Sequence, residues 1–401
     1  MIRRNLQKPI RTYAKQYPIV AIVGPRQSGK TTLARYMFPR HKYLSMENLD
    51  LRHMAQDDPR GFLDDNGTNL ILDEIQRVPN LFSYLQERVD LNDSPSSFVL
   101  TGSQQFLLME KITQSLAGRI ITFRLYPFSF NELHGASPDK DIDSIFKIKP
   151  GYMEDGKDVD ILKTIFTGMY PRIHDKKLDA RKWIENYILT YIERDIRSLV
   201  NIENLKLFED FLKISASMSG QIINYTSISN SIGISQPTVK KWMSLLETSG
   251  VIFILPPYYK NFKKRIVKTP KLYFIDTGLL SFLLSIRSPE ELKGHPLFGN
   301  IFETFIISEF YKRMHHISEI PPFYFWRDKT GNEIDLIVDM GLTLIPIEIK
   351  ASKTYHPELK SNISSWMNLK GNSSKRGYVI YRGNEVVGKR SDVSFAPWWT
   401  L

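Results

Sequence analysis

The sequence contains no cysteine, which removes disulfide frameworks and thiolate metal centres and makes a reducing cytoplasm the expected compartment. No apolar run approaches the length of a membrane span. The longest, such as residues 251–255, are strand-sized, so no membrane partner is expected. Internal repeats and low-complexity tracts are also missing, which sets solenoids and propellers aside. The basic N-terminal stretch has no apolar core or cleavage site and is not expected to act as a secretory signal.

What remains is a globular composition. The 401 residues are 42% hydrophobic and 12% aromatic, enough for two or three domains. Lys and Arg number 54 against 43 Asp and Glu, a formal charge of +11. That excess favours a polyanionic partner, nucleic acid first and an anionic membrane surface second.

Short apolar runs at 19–23, 70–72, 97–101 and 120–125 alternate with helical patterns. This rhythm predicts a parallel sheet covered by helices on both faces. Residues 138–160 are polar and read as a boundary or mobile insertion, after which helical periodicity runs over 161–199 and 205–217. Between 225 and 271 a short helix, Gly233, a second helix opening at Ser235 and two strands around a basic loop predict a winged helix. Val239, Trp242, Met243 and Leu246 would share the buried face of that second helix. Mixed α and β returns from Leu297, with a helix over 302–314 and strands at 323–326, 333–338 and 344–349. The expected domains are 1–140, 141–204, 205–290 and 291–401.

Gly24, Pro25, Arg26, Gln27, Ser28, Gly29, Lys30 and Thr31 fit G-x-x-x-x-G-K-[ST] completely, between an apolar strand and a helical run that opens with Thr32. In a P-loop of this kind backbone N–H groups cradle phosphates, Lys30 supplies charge to the β and γ phosphates, and the Thr31 hydroxyl ligates Mg²⁺. ATP and Mg²⁺ are the expected cofactors. Leu70-Ile71-Leu72 ends in Asp73, suited to the magnesium shell, and Glu74, suited to polarising water. A third strand ends in Thr101, Gly102 and Ser103, where a small hydroxyl can sense the γ-phosphate, although a plain turn would read alike.

GPRQSGKTT, LILDEIQ, LTGSQQF, SLAGR and RLYPFSFNEL together resemble a large group of prokaryotic AAA+ ATPases. The C-terminal half of those proteins is a domain long catalogued as of unknown function. GMYPR at 168–172 and YIERDI at 191–196 extend the likeness to nearly the whole chain. The resemblance implies an α/β fold: a P-loop NTPase parallel sheet with a helical lid, a winged helix and a C-terminal restriction-endonuclease-like domain. It also implies a homo-oligomeric ring, a hexamer among the options, with an arginine supplied in trans. Arg119 and Arg124 are the placed candidates and Arg172 a lid arginine, although each also reads as a surface salt bridge.

Lys260, Lys263, Lys264, Arg265, Lys268 and Lys271 fall in the expected wing, and the polar face of the preceding helix carries Gln236, Thr238, Lys240 and Lys241. Such residues track phosphates; the helix's polar face lacks arginine forks, which predicts backbone- or structure-directed DNA binding rather than sharp base readout. A solvated hairpin on a protein-binding adaptor has the same composition.

Asp335, followed by Glu348-Ile349-Lys350, forms a D…ExK arrangement that looks like the PD-(D/E)XK nuclease core. Strand alternation places Glu348 and Lys350 on one face, where Asp335 and Glu348 would hold a second Mg²⁺ and Lys350 would act catalytically. Glu303 matches the additional acidic residue of many such nucleases, while Ile334 stands where that pattern has proline. His315 and His316 read as a surface helix end. The resulting expectation is an ATPase that moves or remodels branched or otherwise structured DNA. The alternatives are a nucleotide-controlled regulatory ATPase binding proteins and an ATP-regulated, Mg²⁺-dependent nuclease.

Overall fold

The computed structural model describes residues 2–102, 115–146, 159–192, 205–259, 269–369, 372–388 and 391–400. Its first layer is a wholly parallel five-stranded sheet in the order β2-β3-β4-β1-β5. The strands are β1 (Ile19–Val23), β2 (Lys42–Ser45), β3 (Leu70–Asp73), β4 (Phe98–Gly102) and β5 (Ile120–Arg124). Side chains alternate between two cores. Val20, Ile22, Ile71 and Val99 face α1 (Gln7–Tyr13) and α2 (Lys30–Met37). Ile19, Ala21, Leu70, Leu72 and Leu100 face α3 (Leu49–Asp57), α4 (Pro59–Asn66) and α5 (Leu81–Leu91). Burial on both faces explains why the central strands are continuous apolar runs. β2 is an edge strand with only Leu44 buried, so its Lys-Tyr-Leu-Ser sequence carries no such signal.

After β5 the chain forms α6 (Phe130–Leu133), opened by a reciprocal capping box between Ser129 and Glu132, and α7 (Ile142–Phe146). The polar stretch expected to be a boundary is packed over its first part. Asp139 is buried in a bidentate pair with Arg313 (2.8 and 2.6 Å), and Phe146 packs on Phe310 and Phe323. Residues 147–158 lie outside the described ones. Then come α8 (Ile161–Thr167), α9 (Pro171–Lys176) and α10 (Ala180–Tyr187). The buried carboxylate of Asp276 accepts from Met169 N (2.6 Å) and Leu279 N (2.9 Å), which anchors the turn between α8 and α9.

The next unit runs α11 (Leu205–Ser217), β6 (Gln221–Ile222), α12 (Tyr225–Ile232), α13 (Gln236–Thr248), β7 (Ile252–Leu255) and β8 (Lys271–Phe274). Its antiparallel sheet has the order β6-β8-β7. Ser235 caps α13 by accepting from Thr238 N, and Val239, Trp242, Met243 and Leu246 are buried as their spacing predicts. α14 (Thr277–Leu283) and α15 (Pro289–Gly294) lead into α16 (Phe298–His316), which is buried nearly all round.

A separate sheet follows, ordered β13-β12-β11-β10-β9. β9 (Phe323–Arg327), β10 (Glu333–Asp339) and β11 (Leu344–Lys350) form an antiparallel meander. After α17 (Ser361–Met367), β12 (Gly377–Tyr381) and β13 (Val393–Pro397) add in parallel. The three-stranded sheet and this C-terminal sheet are joined where Pro257 bridges Phe325 and Tyr258 N donates to Phe325 O (2.6 Å). Among the described residues no helix is long and apolar enough to cross a membrane.

A buried polar seam fastens the N-terminal segment to the start of α6 and the end of α16. Arg4 donates to Ser28 O (2.9 Å), Tyr126 O (2.6 Å) and Glu132 Oε1 (3.2 Å), while His316 Nδ1 lies 3.2 Å from Glu132 Oε2. Burial opposes the Glu132 charge, but Arg4 and His316 outweigh it and hold its carboxyl well below the usual range. A carboxylate depressed in the fold adds stability above its unfolded pKa of roughly 4.3, and that stability is lost as pH falls. Arg4→Met should therefore lower the unfolding free energy by about 3–5 kcal/mol at neutral pH. In urea titrations the deficit should shrink as pH drops below about 4.

Candidate nucleotide site and the C-terminal carboxylate cluster

The glycine-rich loop leaves β1 at the C-terminal edge of the parallel sheet. At Gly24 φ is +152°, and a Cβ there would stand 2.1 Å from Leu125 O, so only glycine lets the loop pass β5. The loop then enters α2, whose first N–H groups have no intrahelical acceptor and suit an anion. Lys30 is buried, with Nζ donating to Gly24 O (3.0 Å) and Pro25 O (2.8 Å). Gln27 holds a left-handed backbone (φ 63°). Ser28 is buried, Arg26 reaches to 4.0 Å from Glu47, and Thr32 is exposed on the first turn.

Asp73 is the convergence point. Its Oδ1 accepts from Thr31 Oγ1 (2.9 Å) and from the Thr101 hydroxyl, and its Oδ2 accepts from Tyr43 OH (2.7 Å). Burial and the neighbouring Asp73 push the Tyr43 hydroxyl up to about 12, which keeps it a donor. Four segments thus bring a hydroxyl or carboxylate to one place. Glu74, directly after β3, is held left-handed (φ 54°, ψ 43°) with Gln76 Nε2 at 2.5 Å from its Oε2. A non-glycine residue in that region is uncommon and strained, and such strain collects at functional sites. Ser103 lies outside the described residues; Thr101, earlier on the same strand end, makes the contact with Asp73.

The arginines separate. Arg119 precedes β5, at the sheet end opposite the glycine-rich loop, and pairs with Asp90 (2.9 Å through Nη2). Arg124 closes β5 in register with Val23, beside the start of the loop, and is exposed. Arg172 is exposed on α9. On α13, Lys240 and Lys241 are exposed, and Lys240 Nζ sits 5.5 Å from the Tyr225 ring centroid. Lys260, Lys263, Lys264, Arg265 and Lys268 lie outside the described residues. The opposite end of α13 reaches the glycine-rich loop. A Cβ on Gly250 would meet Pro25 Cδ at 3.0 Å.

Lys271 departs from its expected place on the wing. It is only 3% exposed and points into the C-terminal domain, where it pairs with Glu303 (3.1 Å) and Glu333. Tyr273, two residues on, donates to Glu303 Oε1 at 2.6 Å. Beside them Asp335 Oδ2 accepts from Ile349 N (2.7 Å), and Lys350 Nζ donates to Glu348 Oε1 (2.6 Å). Strand alternation does bring Glu348 and Lys350 together, as their spacing predicts. Yet among the described residues no group of three His, Cys, Asp or Glu side chains has a metal-holding arrangement. Of the expected Mg²⁺ set, Glu303 pairs with the Lys271 ammonium and Glu348 with that of Lys350, while Asp335 accepts from a backbone N–H. Burial, reinforced by Asp335, raises Glu303 to about 7 and Glu348 to about 8, and burial also raises Asp335. His315 and His316, expected at a surface helix end, are both buried, because the end of α16 packs against the segment after β5.

Residues 16–134 match the AAA domain family. Residues 159–290 and 298–401 match two domains of unknown function, DUF8612 and DUF4143. The chain therefore carries an AAA-type P-loop domain at its N-terminal end and a DUF4143 domain at its C-terminal end. An uncharacterized protein of Mycobacterium tuberculosis is 28% identical over 356 residues, which is 88% of this chain and 74% of that protein. One from Methanocaldococcus jannaschii is 25% identical over 317 residues, 71% of this chain and 65% of that protein. Among solved structures, the Walker-type ATPase of Pyrococcus abyssi aligns with a TM-score of 0.43 and 12% identity, over 71% of this chain and 96% of that one.

Two outcomes follow from this geometry. Lys30→Ala should weaken ATP binding more than tenfold, whereas Glu74→Gln should keep binding and lower turnover by about 10²–10⁴, both read from fluorescent-nucleotide titration and phosphate release. Carboxyls raised in the fold lose stability as pH climbs from their unfolded to their folded pKa. Urea midpoints should thus fall between pH 5 and 8, and Glu348→Gln should flatten that fall.

Proposed function

We propose that this chain is an ATP-hydrolysing machine that remodels DNA, with the nucleotide state passed to DNA through α13. The carrying observation is the position of that helix. The turn after it, at Gly250, abuts Pro25 of the glycine-rich loop, and its N-terminal half exposes Lys240 and Lys241. From Thr248 back to Lys241 the helix rises about 10 Å, so a shift of the loop would reach the two lysines as a rigid-body motion. The order α11-β6-α12-α13-β7-β8 with sheet order β6-β8-β7 is that of a winged helix, and the formal charge of +11 suits a phosphate backbone.

At the nucleotide, the Lys30 ammonium would exchange its two carbonyl acceptors for the β and γ phosphates. The Thr31 hydroxyl and the Asp73 carboxylate, already paired, are hard oxygen donors that fit Mg²⁺. The ion, when bound, offsets triphosphate charge. Glu74 accepts a proton from the attacking water, oriented by the strained turn that holds it. A homo-oligomeric ring would let Arg119 reach a neighbouring subunit's γ-phosphate once released from Asp90.

ATP turnover should rise when single-stranded, duplex or branched DNA is added, with the strongest response identifying the substrate form. Replacing Lys240 and Lys241 by alanine should weaken DNA binding and make log K fall less steeply with log salt, by roughly one to two in slope. If turnover ignores every DNA form and no salt-dependent binding occurs, the DNA reading fails and a regulatory ATPase with protein partners takes its place.

A further inference from the structure

The carboxylates of the C-terminal domain come from three elements: Glu303 from α16, Glu333 and Asp335 from β10, and Glu348 from β11. Lys350 is their neighbour on β11, but Lys271 is a visitor from β8 of the preceding unit. Its ammonium pairs with Glu303 and Glu333, attracts Asp335 electrostatically, and lies 5.6 Å from the Phe325 ring centroid. An ordinary surface lysine keeps its head in water. This one buries it, and the same strand face adds the Tyr273 hydroxyl to Glu303. A divalent cation placed on Glu303 would face that ammonium at contact distance, with no water between to screen the repulsion.

We propose that Lys271 is the resident cation of this cluster, a built-in substitute for a divalent metal, and that the cluster is a clasp holding the α11–β8 unit to the C-terminal domain rather than a metal-dependent cleavage centre. Two ammoniums among four carboxylates leave formal negative charge, which burial relieves by favouring the protonated forms of Glu303 and Glu348.

The test is Mn²⁺ binding by the full chain without nucleotide at pH 7, read by electron paramagnetic resonance of the free ion. The wild type and Glu348→Gln should bind Mn²⁺ alike, since the cluster holds none. Lys271→Met should gain a site at least tenfold tighter than any in the wild type, and Lys271→Met with Glu348→Gln should lose it. Wild-type binding that Glu348→Gln abolishes would overturn the proposal, as would a folded Lys271→Met protein that gains nothing. Should circular dichroism show Lys271→Met unfolded, the wild type against Glu348→Gln decides alone. ATP turnover and DNA binding take no part in this readout, so the DNA reading stands or falls separately.

Discussion

Arg4 is where the N-terminal segment, the glycine-rich loop and α16 meet. A guanidinium offers a rigid fork of donors, and here that fork is spread over Ser28 of the glycine-rich loop, Tyr126 just after β5, and Glu132. Glu132 in turn accepts from Asn5 N (2.7 Å) and Ser129 N (3.1 Å). The same segment meets the buried charges of α16 one after another. Phe130 N donates to Glu309 Oε2 (2.6 Å), Lys312 Nζ to Phe128 O (3.0 Å), and Arg313 clamps Asp139. Charges so deep are costly unless every one is matched, which makes this seam a specificity device as much as a source of stability. The glycine-rich loop is therefore positioned in part by a helix that begins almost three hundred residues later.

The chemistry of the nucleotide site was legible because it is contiguous. Gly24 to Thr31 are neighbours in sequence, and Asp73 and Glu74 end an apolar run that only a buried strand explains. The central strands and the buried face of α13 were equally plain, since burial writes a period into the residues. What was not legible depends on partners far away. Tyr43 lies on an edge strand with mixed polarity, and only the fold brings it to Asp73. Asp139 looked like part of a polar linker until Arg313 appeared opposite it. β12 and β13 went unread. Lys271 sits in a run of basic residues and shares their composition, so nothing local could separate the one that turns inward.

The unit from α11 to β8 occupies the middle of the molecule in more than sequence. Its α13–β7 turn touches the glycine-rich loop, its hairpin base pairs with β9, and its β8 delivers Lys271 into the last domain. A single hydrophobic core runs without break from Tyr126 through this unit to Trp399. Domains joined only by linkers move freely, whereas these share side chains, a sheet edge and ion pairs. On the proposed reading, a shift of the loop would pass through packed elements with few soft joints.

The reach of the Arg4 seam also bears on how the protein is made. Arg4 and His316 stand 312 positions apart in the chain. During synthesis the parallel sheet can assemble as soon as β5 emerges, but Glu132 then has only part of its ring of partners until α16 is complete. Contacts of such sequence separation are slow to form, and domains that wait for them expose unpaired surface meanwhile. The glycine-rich loop thus emerges well before the helix that completes the seam around Arg4 and Glu132. A chain interrupted before residue 316 would carry the whole glycine-rich motif with the seam around Glu132 still incomplete.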